Sequence, residues 1–180
     1  MTHGLNRHFV IGADLPATPA GWRRAAFGGW EALTGADVRR HRLTAGGVDV
    51  GLMLGWIVGE AGVLDDETVI EVPEGAKDIG AWAADLCGRF VLLFQADAGA
   101  SGLRVGLDAG GLLGTVYDPE RRRIASTPAL LSDGAPPEPD AGLVAAFGMP
   151  ARHGWYPFGL TPARGVRRLM PNFELSLQDF

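Results

Sequence analysis

Cysteine is nearly missing from this chain: Cys87 is the only one, so an internal disulfide and a multi-cysteine metal site are both excluded. Lying just before an apolar run, Cys87 reads as a small buried hydrophobe. Lysine is equally scarce, for only Lys77 among the 16 basic residues is lysine, and the arginines are scattered. With a net charge of -5 there is no broad positive field to draw in nucleic acid or anionic lipid, so neither is expected as a partner. The densest basic run, Arg121-Arg122-Arg123, reads as a solvated turn between strands rather than a phosphate site. No apolar stretch approaches the ~20 residues that cross a bilayer, and the N-terminus lacks the charged-then-apolar order of a signal peptide. No membrane partner and a cytoplasmic location follow as expectations. The four histidines, His3, His8, His41 and His153, have no paired spacing and no nearby carboxylate array, which argues against a metal and reads as surface or loop placement.

What the chain does have is apolar content: 47% of 180 residues can bury a sizeable core, and residues 1–180 are expected to form one domain. The organising stretch is 88–131. Its first segment, Gly88-Arg-Phe-Val-Leu-Leu-Phe94, is a strand-length apolar run of the kind buried on both faces, with Phe90, Leu92 and Phe94 opposite to Val91 and Leu93. Strands follow at 103–107, 112–117 and 124–126, with Asp108-Ala-Gly-Gly111 as turn geometry and Thr127-Pro128 opening a short helix. Upstream, 9–12, 48–58 and 69–72 read as strands and 22–27 as a short helical turn. Residues 1–47 carry the fewest signals. Between 77 and 86 the spacing of Ile79, Trp82, Ala83 and Leu86 puts them on one helix face against the sheet. Beyond 131, a Pro-rich loop, a helix at 141–147, a loop holding Trp155 and Tyr156, and an alternating strand at 173–177 complete the reading.

Five segments together resemble a family. Leu86-Cys-Gly-Arg-Phe-Val, Leu107-Asp-Ala-Gly-Gly, the Tyr117 strand, Ala125-Ser-Thr-Pro-Ala-Leu-Leu and the tail Gly159-Leu-Thr-Pro-Ala-Arg-Gly-Val-Arg-Arg-Leu-Met-Pro-Asn occur in the order found in the glutaminase-type N-terminal domain of asparagine synthetases. There the text runs "G-x-F-A-F", "R-D-x-x-G", "L-Y-Y", "A-S-E-x-K-A-L" and "G-x-T-x-x-x-G-I-x-x-L-x-P-G-H". The resemblance spans roughly residues 48–177. It implies an α+β fold, the four-layer αββα sandwich of N-terminal-nucleophile hydrolases with two mostly antiparallel sheets, and makes 159–180 a tail leading toward a synthetase domain.

The family's chemistry fits these positions poorly. Its nucleophile is an N-terminal cysteine whose α-amine serves as base. Here Thr2 would be exposed by methionine removal, yet the first strand begins seven residues later, so Thr2 is expected on a loose leader. The family's oxyanion hole uses the Asn side chain and Gly N–H of "N-G-E-I"; Leu54-Gly55-Trp56-Ile57 stands in that place, and Leu54 offers no donor. Leu54, Gly55 and Trp56 are thus the candidate vestigial glutamine pocket, which Trp56 is expected to fill with Leu54 beside it. His41-Arg42-Leu43 resembles "R-R-L-S", whose arginine holds the glutamine carboxylate. The expectation is a non-catalytic amidotransferase-like domain, a scaffold for an ATP-dependent amide-bond-forming system like the relatives that close lasso-peptide rings or β-lactams. Its implied partner is an asparagine-synthetase-like ATP-binding domain in cis or in trans, or a second copy as a homodimer. ATP and Mg are expected only in that associated domain and no cofactor in this chain. The alternatives are an active Thr2 amidohydrolase and a stand-alone peptide- or small-molecule-binding module.

Overall fold

Two Gly-Gly pairs shape the first third of the chain. Gly28-Gly29 and Gly46-Gly47 all have positive φ, and each pair closes a two-residue hairpin, with Phe27 opposite Trp30 and Ala45 opposite Val48. Such turns need left-handed backbone at both central positions, which glycine adopts without a Cβ clash. Of residues 22–27, expected as a helical turn, 23–27 therefore form a strand: the first glycine pair folds them back onto the next strand. The computed structural model describes residues 6–76, 78–96, 102–132, 135–147 and 156–180. Thr2, His3, Lys77, His153 and Trp155 lie outside them.

In chain order the strands are β1 (Phe9–Gly12), β2 (Arg23–Phe27), β3 (Trp30–Thr34), β4 (Arg40–Ala45), β5 (Val48–Gly59), β6 (Gly62–Val63) and β7 (Val69–Glu71). After helix α1 (Ile79–Ala84) come β8 (Gly88–Gln95), β9 (Leu103–Leu107), β10 (Val116–Asp118) and β11 (Arg123–Ala125). Helices α2 (Pro128–Leu131) and α3 (Ala141–Phe147) precede the short strands β12 (Arg167–Arg168) and β13 (Leu175–Ser176). They build two sheets, β12-β10-β11-β1-β3-β2 and β13-β9-β8-β5-β4-β7, and among the described residues only β4 and β7 pair in parallel. The fold is α+β with two mostly antiparallel sheets.

Three apolar clusters show how the sheets are covered. Ile11, Trp30 and Ile124 of the first sheet meet Leu52, Leu54, Val91, Leu93 and Val105 of the second in one cluster, so the sheets pack face to face. Phe90, Leu92 and Phe94 face the other way, against Ile79 and Ala83 of α1, with Trp82 and Leu86 half-buried beside them. The alternation along β8 is as the sequence suggests, and so is the burial of Ile79 and Ala83, but α1 ends at Ala84 and Leu86 lies beyond it. Val10, Leu33, Val116 and Ala125 make the third cluster, on the outer face of the first sheet with Leu131 of α2. Each large side chain so buried contributes about 1.5–3 kcal/mol.

Two expectations fail for local reasons. The strand expected at 112–117 shrinks to β10, because the buried Asp108 carboxylate accepts the N–H groups of Phe90, Gly110 and Leu112 and so fixes the segment after β9 as a turn. Cys87 is exposed, not buried: it sits in the connection from α1 to β8, where its carbonyl accepts the Val58 N–H. The arginine triplet is also less free than a solvated turn. Arg121 pairs with the buried Asp118 at 2.6 Å, Arg122 donates to the Leu177 carbonyl and lies over the Phe180 ring, and Arg123 donates to the Asp14 carbonyl.

Candidate functional site

Gly55 is the pivot of the site. Its φ is +129°, and a Cβ there would lie 2.1 Å from the Arg89 carbonyl oxygen, so the close approach of β8 to β5 requires glycine at this position. Trp56 stands directly opposite Arg89 in the β5/β8 ladder. On the other side, the Gly55 N–H donates to the Arg39 carbonyl at 2.8 Å, which draws the end of the 35–39 turn against β5. That turn holds the segment before β1: the Asp37 N–H donates to the Asn6 carbonyl at 2.9 Å and the Gly35 N–H to the His8 carbonyl at 2.8 Å. Arg7 thus lies between two anchored residues. His8 is fixed further by Ser126, whose hydroxyl is 2.8 Å from His8 Nδ1.

The result is an open pocket of about 420 Å³ lined by Arg7, Asp37, Val38, Arg39, Gly55, Trp56, Arg89 and Leu113. Arg39 uses part of its guanidinium on the Leu64 carbonyl. Arg7 and Arg89 are exposed, and their side chains make no hydrogen bond or ion pair among the described residues.

Of the residues singled out from sequence, Gly55 and Trp56 meet in this pocket and Leu54 does not. Leu54 is fully buried in the inter-sheet cluster. Trp56 corrects the expectation that it fills the pocket: it is 41% exposed and forms a wall. On β5 the inter-sheet cluster ends at Leu54, so the next side chain on that face has no opposing sheet to pack into.

Arg42 belongs elsewhere. It lines a separate cleft of about 440 Å³ between the edges of the two sheets, with Arg40, Asp49, Glu67 and residues 25–27 of β2. There Arg42 pairs with Asp49 at 3.5 Å and Arg40 with Glu67.

His41 is likewise not a surface or loop residue. It is fully buried on β4, where its Nε2 lies 3.3 Å from the Gly55 carbonyl and Nδ1 makes no well-formed hydrogen bond among the described residues, although the Thr68 backbone acts on the ring. Because a carbonyl only accepts, the imidazole donates from Nε2. Burial holds its pKa below the ordinary histidine range, against the opposing pull of the Gly55 carbonyl.

Chemically the pocket can receive an anion, whereas the resemblance to a glutaminase asks for an oxyanion hole. The Gly55 N–H is already committed to Arg39, and Leu54 is apolar and turned into the core. No group of three or more His, Cys, Asp or Glu suited to a metal occurs among the described residues. No helix among them is long and apolar enough to cross a membrane. No protein-family model matches the chain, and the comparison with curated proteins returned no significant match.

Sequence reasoning missed Arg7, Asp37, Arg39 and Arg89. Their positions fall in three separate parts of the chain, and only the pairing of β5 with β8 and the 35–39 turn brings them together. His41 had a readable signal: in Arg40-His-Arg-Leu-Thr-Ala45 it shares the strand face of Leu43.

Proposed function

We propose that this chain is a non-catalytic glutamine amidotransferase-like domain of an asparagine-synthetase-like system that forms amide bonds with ATP. The observation that carries the reading is the state of the would-be oxyanion hole. Where the five-segment resemblance puts an Asn side chain and a free Gly N–H, this chain has the buried Leu54 and a Gly55 N–H donated to Arg39. A tetrahedral intermediate formed there would meet neither the side-chain amide nor the backbone N–H on which the family relies, and loss of even one such donor costs ~10²–10³ in rate.

The finer fold follows the same reading: a four-layer αββα sandwich of the N-terminal-nucleophile type. Its support is the pair of face-to-face sheets with α1 against one outer face and α2 against the other. Such a domain acts as scaffold or partner surface for an ATP-binding synthetase domain in cis or in trans, which would hold the ATP and Mg. A second reading, a small-molecule-binding module, is favoured by one observation, the open pocket beside the half-exposed Trp56.

The test is a glutaminase assay on the purified chain together with co-purification with an asparagine-synthetase-like ATP-binding partner. The expected result is a complex and no glutamine hydrolysis. Hydrolysis that disappears in Thr2→Ala would overturn the proposal in favour of an active N-terminal-nucleophile enzyme.

A further inference from the structure

The Gly55 pocket concentrates positive charge on an acidic chain. Three arginines line it against one carboxylate, Asp37, although the whole chain carries a net charge of -5. Most arginines elsewhere find protein partners, Arg167 excepted: Arg23 pairs with Asp66, Arg24 with Glu31, Arg40 with Glu67, Arg42 with Asp49 and Arg121 with Asp118. Arg7 and Arg89 have none among the described residues. Both are nonetheless set on fixed backbone, Arg89 within the β8 ladder and Arg7 between the Asn6 and His8 carbonyls that the 35–39 turn engages.

We propose that this pocket binds a small organic anion, with a carboxylate or phosphate group received by Arg7 and Arg89 and an apolar or ring-shaped body laid against Trp56. A guanidinium presents its donors as a planar fork that matches either oxyanion, and charge-assisted hydrogen bonds of this kind are about twice as strong as neutral ones. Trp56, paired across the ladder with Arg89, adds a broad apolar wall next to that fork. The volume, about 420 Å³, lies in the range of small-ligand sites. Asp37 on the rim disfavours a ligand carrying many negative charges and suits one bearing a hydrogen-bond donor as well.

The inference rests on the pocket residues alone. The glutaminase assay reports on the nucleophile and oxyanion hole; the test here reports on the guanidiniums, so either reading can fail without the other.

The experiment is calorimetric titration of the full chain with AMP, glutarate, uncharged adenosine and L-glutamine. Saturable binding of AMP or glutarate is expected, weakening as salt is raised and falling by about tenfold or more in each of Arg7→Gln and Arg89→Gln. AMP alone would assign a phosphate-bearing ligand, and glutarate alone a carboxylate. Both variants change exposed side chains, so retained folding is checked by their urea midpoints. The proposal is overturned if no carboxylate or phosphate ligand saturates below about 10 mM, if binding survives the double variant, or if uncharged adenosine binds as tightly as AMP. L-glutamine, which also carries a carboxylate, supports the proposal if its binding falls in Arg7→Gln and Arg89→Gln and overturns it if its binding is unchanged in both.

Discussion

The two arginine-bearing recesses of this molecule differ in how their charge is answered. In the cleft between the sheet edges, Arg40 has Glu67 and Arg42 has Asp49, so each guanidinium is neutralised by its own neighbour. In the Gly55 pocket, Arg7 and Arg89 have no such neighbour among the described residues. A matched pair belongs to the architecture, and an unmatched guanidinium on fixed backbone is available to a ligand. The difference also shows the limit of motif matching. Arg42, the arginine that a family resemblance would assign to a substrate carboxylate, is one of the matched ones.

The sharpest way to break the contrast is to destroy the pocket wall. Gly55→Ala places a Cβ 2.1 Å from the Arg89 carbonyl oxygen at a φ of +129°. Either β8 must move away or the backbone must strain, and the expected loss is about 3 kcal/mol or more. Urea unfolding measures it; a loss below about 1 kcal/mol would mean that β5 and β8 separate easily and that the pocket has no fixed shape.

Much of the sheet framework was legible because burial and strand period agreed. Phe90, Leu92 and Phe94 alternate with Val91 and Leu93, and the two sets lie in different apolar clusters. Ile79 and Ala83 are buried on one face of α1. The first 47 residues were less readable: their strands β2 and β4 are rich in arginine and alanine, and their identity as strands comes from the Gly-Gly turns that pair them with β3 and β5. The pocket was legible only in part. Gly55 and Trp56 were found through the resemblance, but Arg7, Arg39 and Arg89 carry no mark of their own and acquire a role only through strand register.

On the matched side, the Arg40 side chain is only 13% exposed, and Arg40 Nη1 donates to the Arg24 carbonyl of β2. Arg40→Ala should cost about 1–2 kcal/mol, more from lost packing than from the ion pair, since Glu67 is largely exposed. Arg89→Ala should change stability by no more than about 0.5 kcal/mol. Equal losses in parallel urea unfolding would erase the distinction between the two recesses.

His41 links the recesses, since it sits on the β4 strand of one and its Nε2 faces the Gly55 carbonyl of the other. Its folded pKa lies below the unfolded value of about 6.5, chiefly because burial penalises the charged ring. As pH falls below about 6.5 the unfolded chain takes up a proton that the folded chain resists, so stability is full above that pH and declines toward the folded pKa. The depressed carboxylates contribute lower down: burial raises the Asp66 pKa but the bonds from Arg23 and Arg40 outweigh it, and Thr44 lowers that of Glu71. Urea midpoints between about pH 7.5 and 5 should therefore slope downward in the parent and flatten in His41→Gln; an unchanged slope in the variant would assign the effect to another group.

A small effect is also expected at the aromatic residue that borders the open pocket. Had Trp56 filled the recess, truncation to alanine would cost about 3–5 kcal/mol, as large-to-small core changes do. With 41% of the residue exposed and Leu54 already closing the core behind it, Trp56→Ala removes a wall rather than a plug. The expected loss of stability is about 1 kcal/mol or less, because little apolar contact disappears and no sealed cavity is left. Ligand binding should respond in the opposite proportion: affinity for an anion with a ring-shaped body should fall several-fold, and that for inorganic phosphate, which has no body to lay on the indole, should stay the same. Urea unfolding and titration of the same Trp56→Ala protein read both quantities, and a stability loss above about 3 kcal/mol would show that the indole closes the pocket in solution and that the two recesses do not differ in the way their charges suggest.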